Sequence, residues 1–132
     1  MDLAYQKDLQ RINPRSMGWF LQVMANVHLA AGEYLLALDY FRMSLPNSLK
    51  LDDYLNTCKD YRGLAQTFEN TGNEDSSLFY ARKAVLFAQE KGLMDEVRKS
   101  STILSSLFKK TARTDSALFY MELAKMANDP LF

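Results

Sequence analysis

Apolar residues recur along this chain at spacings of three and four positions, the period of an amphipathic α-helix. The segment that follows Gly32 shows the pattern clearly, because Leu35, Leu38, Phe41 and Leu45 follow one another at three- and four-residue spacings. The chain has no alternation of Val, Ile and Thr of the kind that is typical of strands. The pattern therefore predicts an all-α protein.

Capping residues, glycine and proline divide the pattern into helices. Asn13-Pro14 predicts the first helix start, with Asn13 as the N-cap and proline in the first turn. This helix is expected to run to about Ala31, and Gly32 ends it. Pro46-Asn47-Ser48 predicts the end of the second helix, because proline cannot donate a backbone hydrogen bond and clashes with the preceding turn.

Two more helical pairs are predicted after this point. The N-caps of their returning helices are expected at Asn73 and Thr114, each followed by an acidic residue that suits the positive end of a helix. The second pair covers 51–92 with its turn at 70–73, and the third covers 93–132 with its turn at 112–114.

A sequence repeat with a period of 40 residues underlies these pairs. Residues 77–82 read SLFYAR, residues 117–122 read ALFYME, and residues 37–42 read ALDYFR in the same register. A fixed period of about 20–50 residues is the signature of stacked supersecondary units. The sequence therefore predicts an α-solenoid of helical hairpins, with repeats at 13–50, 51–92 and 93–132.

The same register makes Ala4 the counterpart of Ser44, Ala84 and Ala124. Residues 1–12 are therefore expected to be the tail of the second helix of a preceding repeat. The third repeat carries no polar capping helix, although solenoids normally need a terminal unit with a wettable face. We expect either a fragment of a longer protein or a protomer whose open end is covered by another copy.

Small residues recur where the two helices of each unit must approach closely. They are Ala25, Ala65 and Ser105 in the first helices and Ala37, Ser77 and Ala117 in the second. This pattern resembles the tetratricopeptide repeat (TPR), with the turn glycine of that family at Gly32 and Gly72 and its aromatic residue at Tyr34. The period is about six residues longer than the usual 34, and the Trp-Leu-Gly start of the consensus is missing. A generic hairpin array of the armadillo type is the alternative.

The resemblance implies a right-handed superhelix in which the first helices line a concave, peptide-binding groove. Carried onto this sequence, the site residues are Trp19, Gln22, Asn26, Lys59, Arg62, Gln66, Lys99 and Ser106, with Glu69, Thr102 and Lys109 beside them. Lys59, Arg62 and Lys99 would form a positive strip that holds carboxylates. Asn26 and Gln66 would bond the backbone of a peptide.

The resemblance does not extend to the members that bind chaperone C-terminal tails. Only Asn26 and Lys99 match the carboxylate clamp of those members, so we exclude this function. The positive strip also has a plain structural interpretation as a solvated helix face. Trp19 is interpreted either as a hydrophobic anchor on the groove rim or as a residue packed against Tyr5 or Ile12.

Composition narrows the functions further. The 16 basic and 16 acidic side chains cancel, so no global field would attract nucleic acid or an anionic membrane. The single histidine, His28, stands where the other repeats have phenylalanine and is interpreted as a core residue, and the single cysteine, Cys58, as an inert side chain. We find no nucleophile motif, phosphate loop or metal spacing, and we expect no cofactor, no metal and no catalysis.

The sequence predicts a protein that works by binding protein. The leading hypothesis is the TPR regulatory or sensor region of a larger bacterial signalling or transcription-regulating protein, and it rests on the resemblance. The alternatives are a receptor for an acidic peptide in the concave groove and an oligomerisation module that stacks through its open ends. The first residues show no basic start followed by an apolar run, and no apolar stretch approaches the length of a membrane span. We expect a cytoplasmic protein, or a periplasmic one if the parent is a membrane-bound sensor.

Overall fold

The computed structural model describes residues 13–131, which form six α-helices and no strand. The helices are α1 Pro14–Ala30, α2 Tyr34–Lys50, α3 Tyr54–Asn70, α4 Glu74–Glu90, α5 Met94–Lys110 and α6 Thr114–Ala127. The all-α prediction is confirmed. The expected tail of a preceding repeat at 1–12 lies outside the described residues.

The helices form three hairpins that stack in chain order. The hairpins are α1 with α2, α3 with α4, and α5 with α6; α2 then packs on α3, and α4 packs on α5. The first helices also touch one another, α1 against α3 and α3 against α5. This arrangement is the predicted α-solenoid, and it places the three first helices side by side on one face.

Every connection is a three-residue turn with the same backbone conformation. The middle residue is left-handed in each turn, with φ of 77° at Gly32, 52° at Asp52, 79° at Gly72, 68° at Gly92 and 59° at Ala112. Glycine adopts this conformation without strain, whereas Asp52 and Ala112 adopt it at some cost. Because the turns are alike, each helix starts 20 residues after the one before it.

Pro46 does not end the second helix as predicted, because α2 continues through it to Lys50. The last turn of α2 is held by tertiary contact. Ser48 is buried there and donates a hydrogen bond to Asp60 on α3. This packing outweighs the backbone hydrogen bond that proline cannot make.

The predicted cap at Thr114 is also wrong, since this residue lies inside α6 and Arg113 occupies the N-cap position without a side-chain hydrogen bond. The constant turn length decides the position of the cap. The predicted caps Asn13 and Asn73 are confirmed, because their side chains accept hydrogen bonds from the amides of Arg15 and Ser76.

The predicted small residues do lie at the crossing within each hairpin, and all six are buried. A serine hydroxyl bridges the two helices at two of these crossings. Ser77 Oγ donates to the carbonyl oxygen of Ala65 at 2.8 Å, whereas Ser105 Oγ donates to that of Ala117 at 2.7 Å. The same position is therefore bridged from α4 in the second hairpin and from α5 in the third.

A stacked pair of rings also recurs in each hairpin. The ring centroids are 5.3 Å apart for His28 and Tyr40, 5.7 Å for Phe68 and Tyr80, and 5.7 Å for Phe108 and Tyr120. His28 therefore takes the structural place of a phenylalanine. Its Nδ1 lies 3.2 Å from Glu33 Oε1 at the hairpin turn.

The two joints between hairpins fill equivalent space with different residues. At the first joint Phe41 of α2 is fully buried, and a Cβ added to Gly63 of α3 would overlap its ring. At the second joint the equivalent positions hold Ala81 and Ile103. The large side chain thus comes from α2 at the first joint and from α5 at the second, where Ile103 is partly buried against the core.

This exchange predicts that Gly63→Ala changes the free energy of unfolding in opposite directions, depending on whether residue 41 is phenylalanine or a smaller residue. In the wild type the new methyl group should lower the free energy of unfolding by about 1–3 kcal/mol, because it overpacks the joint. In a Phe41→Leu background the same change should raise it by about 1 kcal/mol, because alanine favours the helix over glycine. Urea denaturation of the four proteins measures both values, and equal effects in the two backgrounds would contradict the packing.

Candidate functional site

The first helices of the three hairpins line a groove with a volume of about 620 Å³. Three of the predicted site residues, Asn26, Gln66 and Ser106, line it from equivalent positions on α1, α3 and α5. The other lining residues are Leu29, Ala30, Glu69, Asn70, Thr102 and Ile103. The structure therefore brings the predicted polar row together on one surface, which we call the concave groove.

The polar groups of the concave groove are partly committed to the protein itself. Asn26 Nδ2 donates to the carbonyl oxygen of Gln22 at 2.9 Å, and Asn70 Nδ2 donates to that of Gln66 at 2.9 Å. The side chains of Gln66 and Ser106 make no hydrogen bond within residues 13–131. Both donors and acceptors are thus available to a ligand along the groove.

The expected positive strip contains carboxylates that sequence reasoning did not place there. Arg62 Nη1 lies 2.6 Å from Glu96 Oε2, and Glu96 is buried. Lys99 Nζ lies 3.1 Å from Asp95 Oδ2 and 3.9 Å from Glu96 Oε1. Lys59 alone of the three strip cations has no ion pair among the described residues. Through its ion pair with Arg62, Glu96 also ties α5 to α3.

Trp19 and Gln22 lie away from this row. Trp19 is 65 % exposed and lies with Arg15, Ser16 and Phe20 on a separate part of α1. The two residues against which it was expected to pack lie outside the described part of the chain. Gln22 is buried rather than groove-lining.

A buried aspartate at the first joint was missed from the sequence. Asp60 of α3 is fully buried, and its Oδ2 accepts hydrogen bonds from Ser44 Oγ and Ser48 Oγ of α2, both at 2.9 Å. Its Oδ1 and the Nε2 of Gln22 make no hydrogen bond of good geometry within residues 13–131. The equivalent of Asp60 at the second joint is Ser100, so the repeat itself contained no signal for a buried acid.

Burial raises the pKa of Asp60 from its usual 3.8 to about 6, against the opposing effect of the hydrogen bonds from Ser44 and Ser48 and of the nearby Gln22 amide. Burial, followed by the nearby charge of Glu96, likewise raises the pKa of Cys58 to about 11. The thiol is therefore protonated at neutral pH, which agrees with the interpretation of Cys58 as inert. No group of three His, Cys, Asp or Glu side chains between residues 13 and 131 could hold a metal ion.

Comparison with models of known protein families gives no match, and comparison with curated protein sequences gives no significant match. The class of the protein therefore comes from its fold, which is that of an α-helical repeat protein. Between residues 13 and 131, none of the helices has the length and apolar character of a membrane span.

The Asp60 carboxyl predicts a dependence of stability on pH. Its pKa is higher in the folded protein than in the unfolded chain, so the folded state binds more protons between about pH 4 and 6 and the free energy of unfolding falls as the pH rises through this range. At about 1.4 kcal/mol per pH unit, the fall amounts to about 3 kcal/mol.

Asp60→Asn should remove this fall in the free energy of unfolding, and the variant should be more stable than the wild type at pH 7. An amide oxygen still accepts from Ser44 and Ser48, and Gln22 can turn its own oxygen toward the new NH2 group. Urea denaturation at intervals from pH 4 to 7.5 gives both profiles. If the two curves stay parallel over this range, the carboxyl does not titrate as described.

Proposed function

We propose that this chain is a protein-interaction module that binds an extended segment of a partner protein in the concave groove. The observation that carries the proposal is the row formed by Asn26, Gln66 and Ser106, which come from equivalent positions on successive first helices and line one groove. A row with a regular spacing suits the regular N–H and C=O groups of an extended peptide backbone.

The resemblance to tetratricopeptide repeats supports this function. It rests on three features: antiparallel hairpins with short turns, turn glycines at Gly32 and Gly72, and small residues at each crossing. On this interpretation the module is the regulatory or sensor scaffold of a larger signalling or transcription-regulating protein.

We propose further that hydrogen bonding, rather than positive charge, selects the bound segment. Glu96 neutralises Arg62, and Asp95 lies beside Lys99, so an acidic peptide would have to compete with carboxylates already in place. The acidic-peptide alternative depends chiefly on Lys59.

The triple variant Asn26→Ala, Gln66→Ala and Ser106→Ala tests this function. The probes are peptides of about 12 residues, selected from a random displayed library against the wild type. They should bind the triple variant at least tenfold more weakly than the wild type, because each lost hydrogen bond contributes about 0.5–1.5 kcal/mol. All three side chains reach the surface, so the melting temperature should change little. Fluorescence anisotropy of the labelled peptides measures the affinity.

Gln89→Ala, an exposed amide on α4, is the matched control and should leave the affinity unchanged. Selected peptides that bind the triple variant as well as the wild type would place the binding site elsewhere. A loss of binding on Lys59→Glu, with the triple variant unaffected, would favour the acidic-peptide alternative.

Self-association through α6 is a second candidate function. Leu38 and Leu78 are 6 % and 8 % exposed, because the next hairpin covers them, whereas the equivalent Leu118 is 52 % exposed. Met121 is likewise 41 % exposed where Phe41 is fully buried. This face of α6 is equivalent to the faces of α2 and α4 that bury themselves under a neighbour, and a second copy of the chain could cover it.

Under this second function, light scattering across a concentration series should show a mass above that of the monomer. Leu118→Glu should return the chain to the monomer, because a charge would be buried in the contact. Leu35→Glu is the matched control, since the equivalent positions on α4 and α6 already carry aspartate. A monomer mass at every concentration removes this candidate.

A further inference from the structure

A second groove lies on the side of the stack formed by the second helices. It follows α4 toward the turn before α6 and has a volume of about 500 Å³. Its lining residues are Asp75, Leu78, Phe79, Arg82, Lys83, Leu86 and Arg113. We call it the α4 groove. Two of its large apolar side chains face solvent, since Phe79 is 53 % and Leu86 is 64 % exposed.

The exposure of these side chains does not come from a missing neighbour in the stack. Helix α4 packs against α3 within its hairpin and against α5 of the next one. Leu78 and Ala81, which face the joint, are buried. Phe79 and Leu86 therefore lie on a face that stacking of the repeats does not cover, and exposed apolar area of this kind marks interaction sites.

The α4 groove carries an excess of positive charge. Arg82, Lys83 and Arg113 line it with only one acid, Asp75, and none of these four residues forms an ion pair within residues 13–131. The protein as a whole has equal numbers of acidic and basic side chains. Three unpaired cations around one apolar groove are thus a local departure from this balance.

Aromatic rings hold these cations in place. The guanidinium carbons of Arg82 and Arg113 lie 5.3 and 5.7 Å from the centroid of the same ring, Phe108. Lys83 Nζ lies 5.5 Å from the ring centroid of Phe79. Cation–π contacts orient the side chains without neutralising their charge. The groove therefore presents cations that are positioned but still able to bind an anion.

The first joint shows which of these residues the repeat requires. Leu38 and Arg42 are the counterparts of Leu78 and Arg82, and Arg42 lies over Phe68 at 6.0 Å just as Arg82 lies over Phe108. This leucine and arginine thus belong to the repeat. The other positions differ, because the first joint has Asp39, Met43 and Asn73 where the second has Phe79, Lys83 and Arg113. The repeat therefore does not require Phe79, Lys83 or Arg113 in order to fold.

Arg113 moreover occupies a position that does not suit an arginine. It is the N-cap of α6 and makes no side-chain capping hydrogen bond, whereas Asn73 at the equivalent position accepts from the Ser76 amide at 3.2 Å. A cation at the positive end of a helix is also unfavourable. Residues that are unfavourable for local stability occur preferentially at functional sites, and Arg113 is such a residue.

We propose that the α4 groove binds an acidic amphipathic helix of a partner protein. Phe79 and Leu86 lie two helical turns apart along α4 and would receive the apolar stripe of that helix, while Lys83, Arg82 and Arg113 would pair with carboxylates beside the stripe. Three cations on a protein with no net charge are too few to bind a nucleic-acid duplex or an anionic membrane, because such surfaces are bound by larger clusters of basic residues.

The first joint supplies the variant that tests this proposal. The triple change Phe79→Asp, Lys83→Met and Arg113→Asn converts the groove to residues that the same repeat already accommodates, so helical content and melting temperature should be retained. The probe is a displayed library of 16-residue peptides with Asp or Glu on one helical face and Leu or Phe on the other, selected against the wild type. Selected peptides should bind the variant at least tenfold more weakly, and 0.5 M salt should weaken their binding to the wild type.

The control is the triple alanine variant of the concave groove, which should bind these peptides as the wild type does. This control separates the two proposals, because each groove is altered in a protein that keeps the other intact. The proposal is overturned if no peptide is enriched, or if the enriched peptides bind the α4 groove variant unchanged. It is also overturned if phosphatidylserine vesicles bind in place of the peptides and the variant loses that binding, because the surface would then be a lipid site.

Discussion

The stacking of one hairpin on the next is the interaction on which the rest of the structure depends. A single hairpin cannot bury both faces of its second helix, and α2 and α4 bury theirs only because α3 and α5 lie on top of them. The constant three-residue turn makes this possible, since it returns each helix to the same register. The joint is therefore where packing is most demanding, and it is where Phe41 fills the space left by Gly63.

The two joints show that the same stacking tolerates different chemistry. The first contains a buried carboxylate, Asp60, between two serine hydroxyls, and the second has alanines in place of those serines and Ser100 in place of the acid. Desolvation makes the first arrangement unfavourable at neutral pH. Shape and register thus hold the hairpins together, while individual polar contacts vary from one joint to the next.

Positions that stacking leaves free are the ones where binding surfaces can form. On the first helices these positions carry the polar row of Asn26, Gln66 and Ser106, and on α4 they carry Phe79, Lys83 and Leu86. The two grooves differ in character, since one presents a row of amide and hydroxyl groups and the other presents apolar area beside cations.

The sequence by itself determined the helical class, the 40-residue repeat and the small residues at each crossing, because all of these follow from periodicity. Only the tertiary structure decided the rest. The ion pair between Arg62 and Glu96 and the burial of Asp60 join residues of different hairpins, and their distances depend on how the hairpins stack. The helix through Pro46 has the same origin, since contacts made by Ser48 outweigh a local preference. Periodicity is a local property of the chain, whereas charge pairing and burial are properties of the assembled stack.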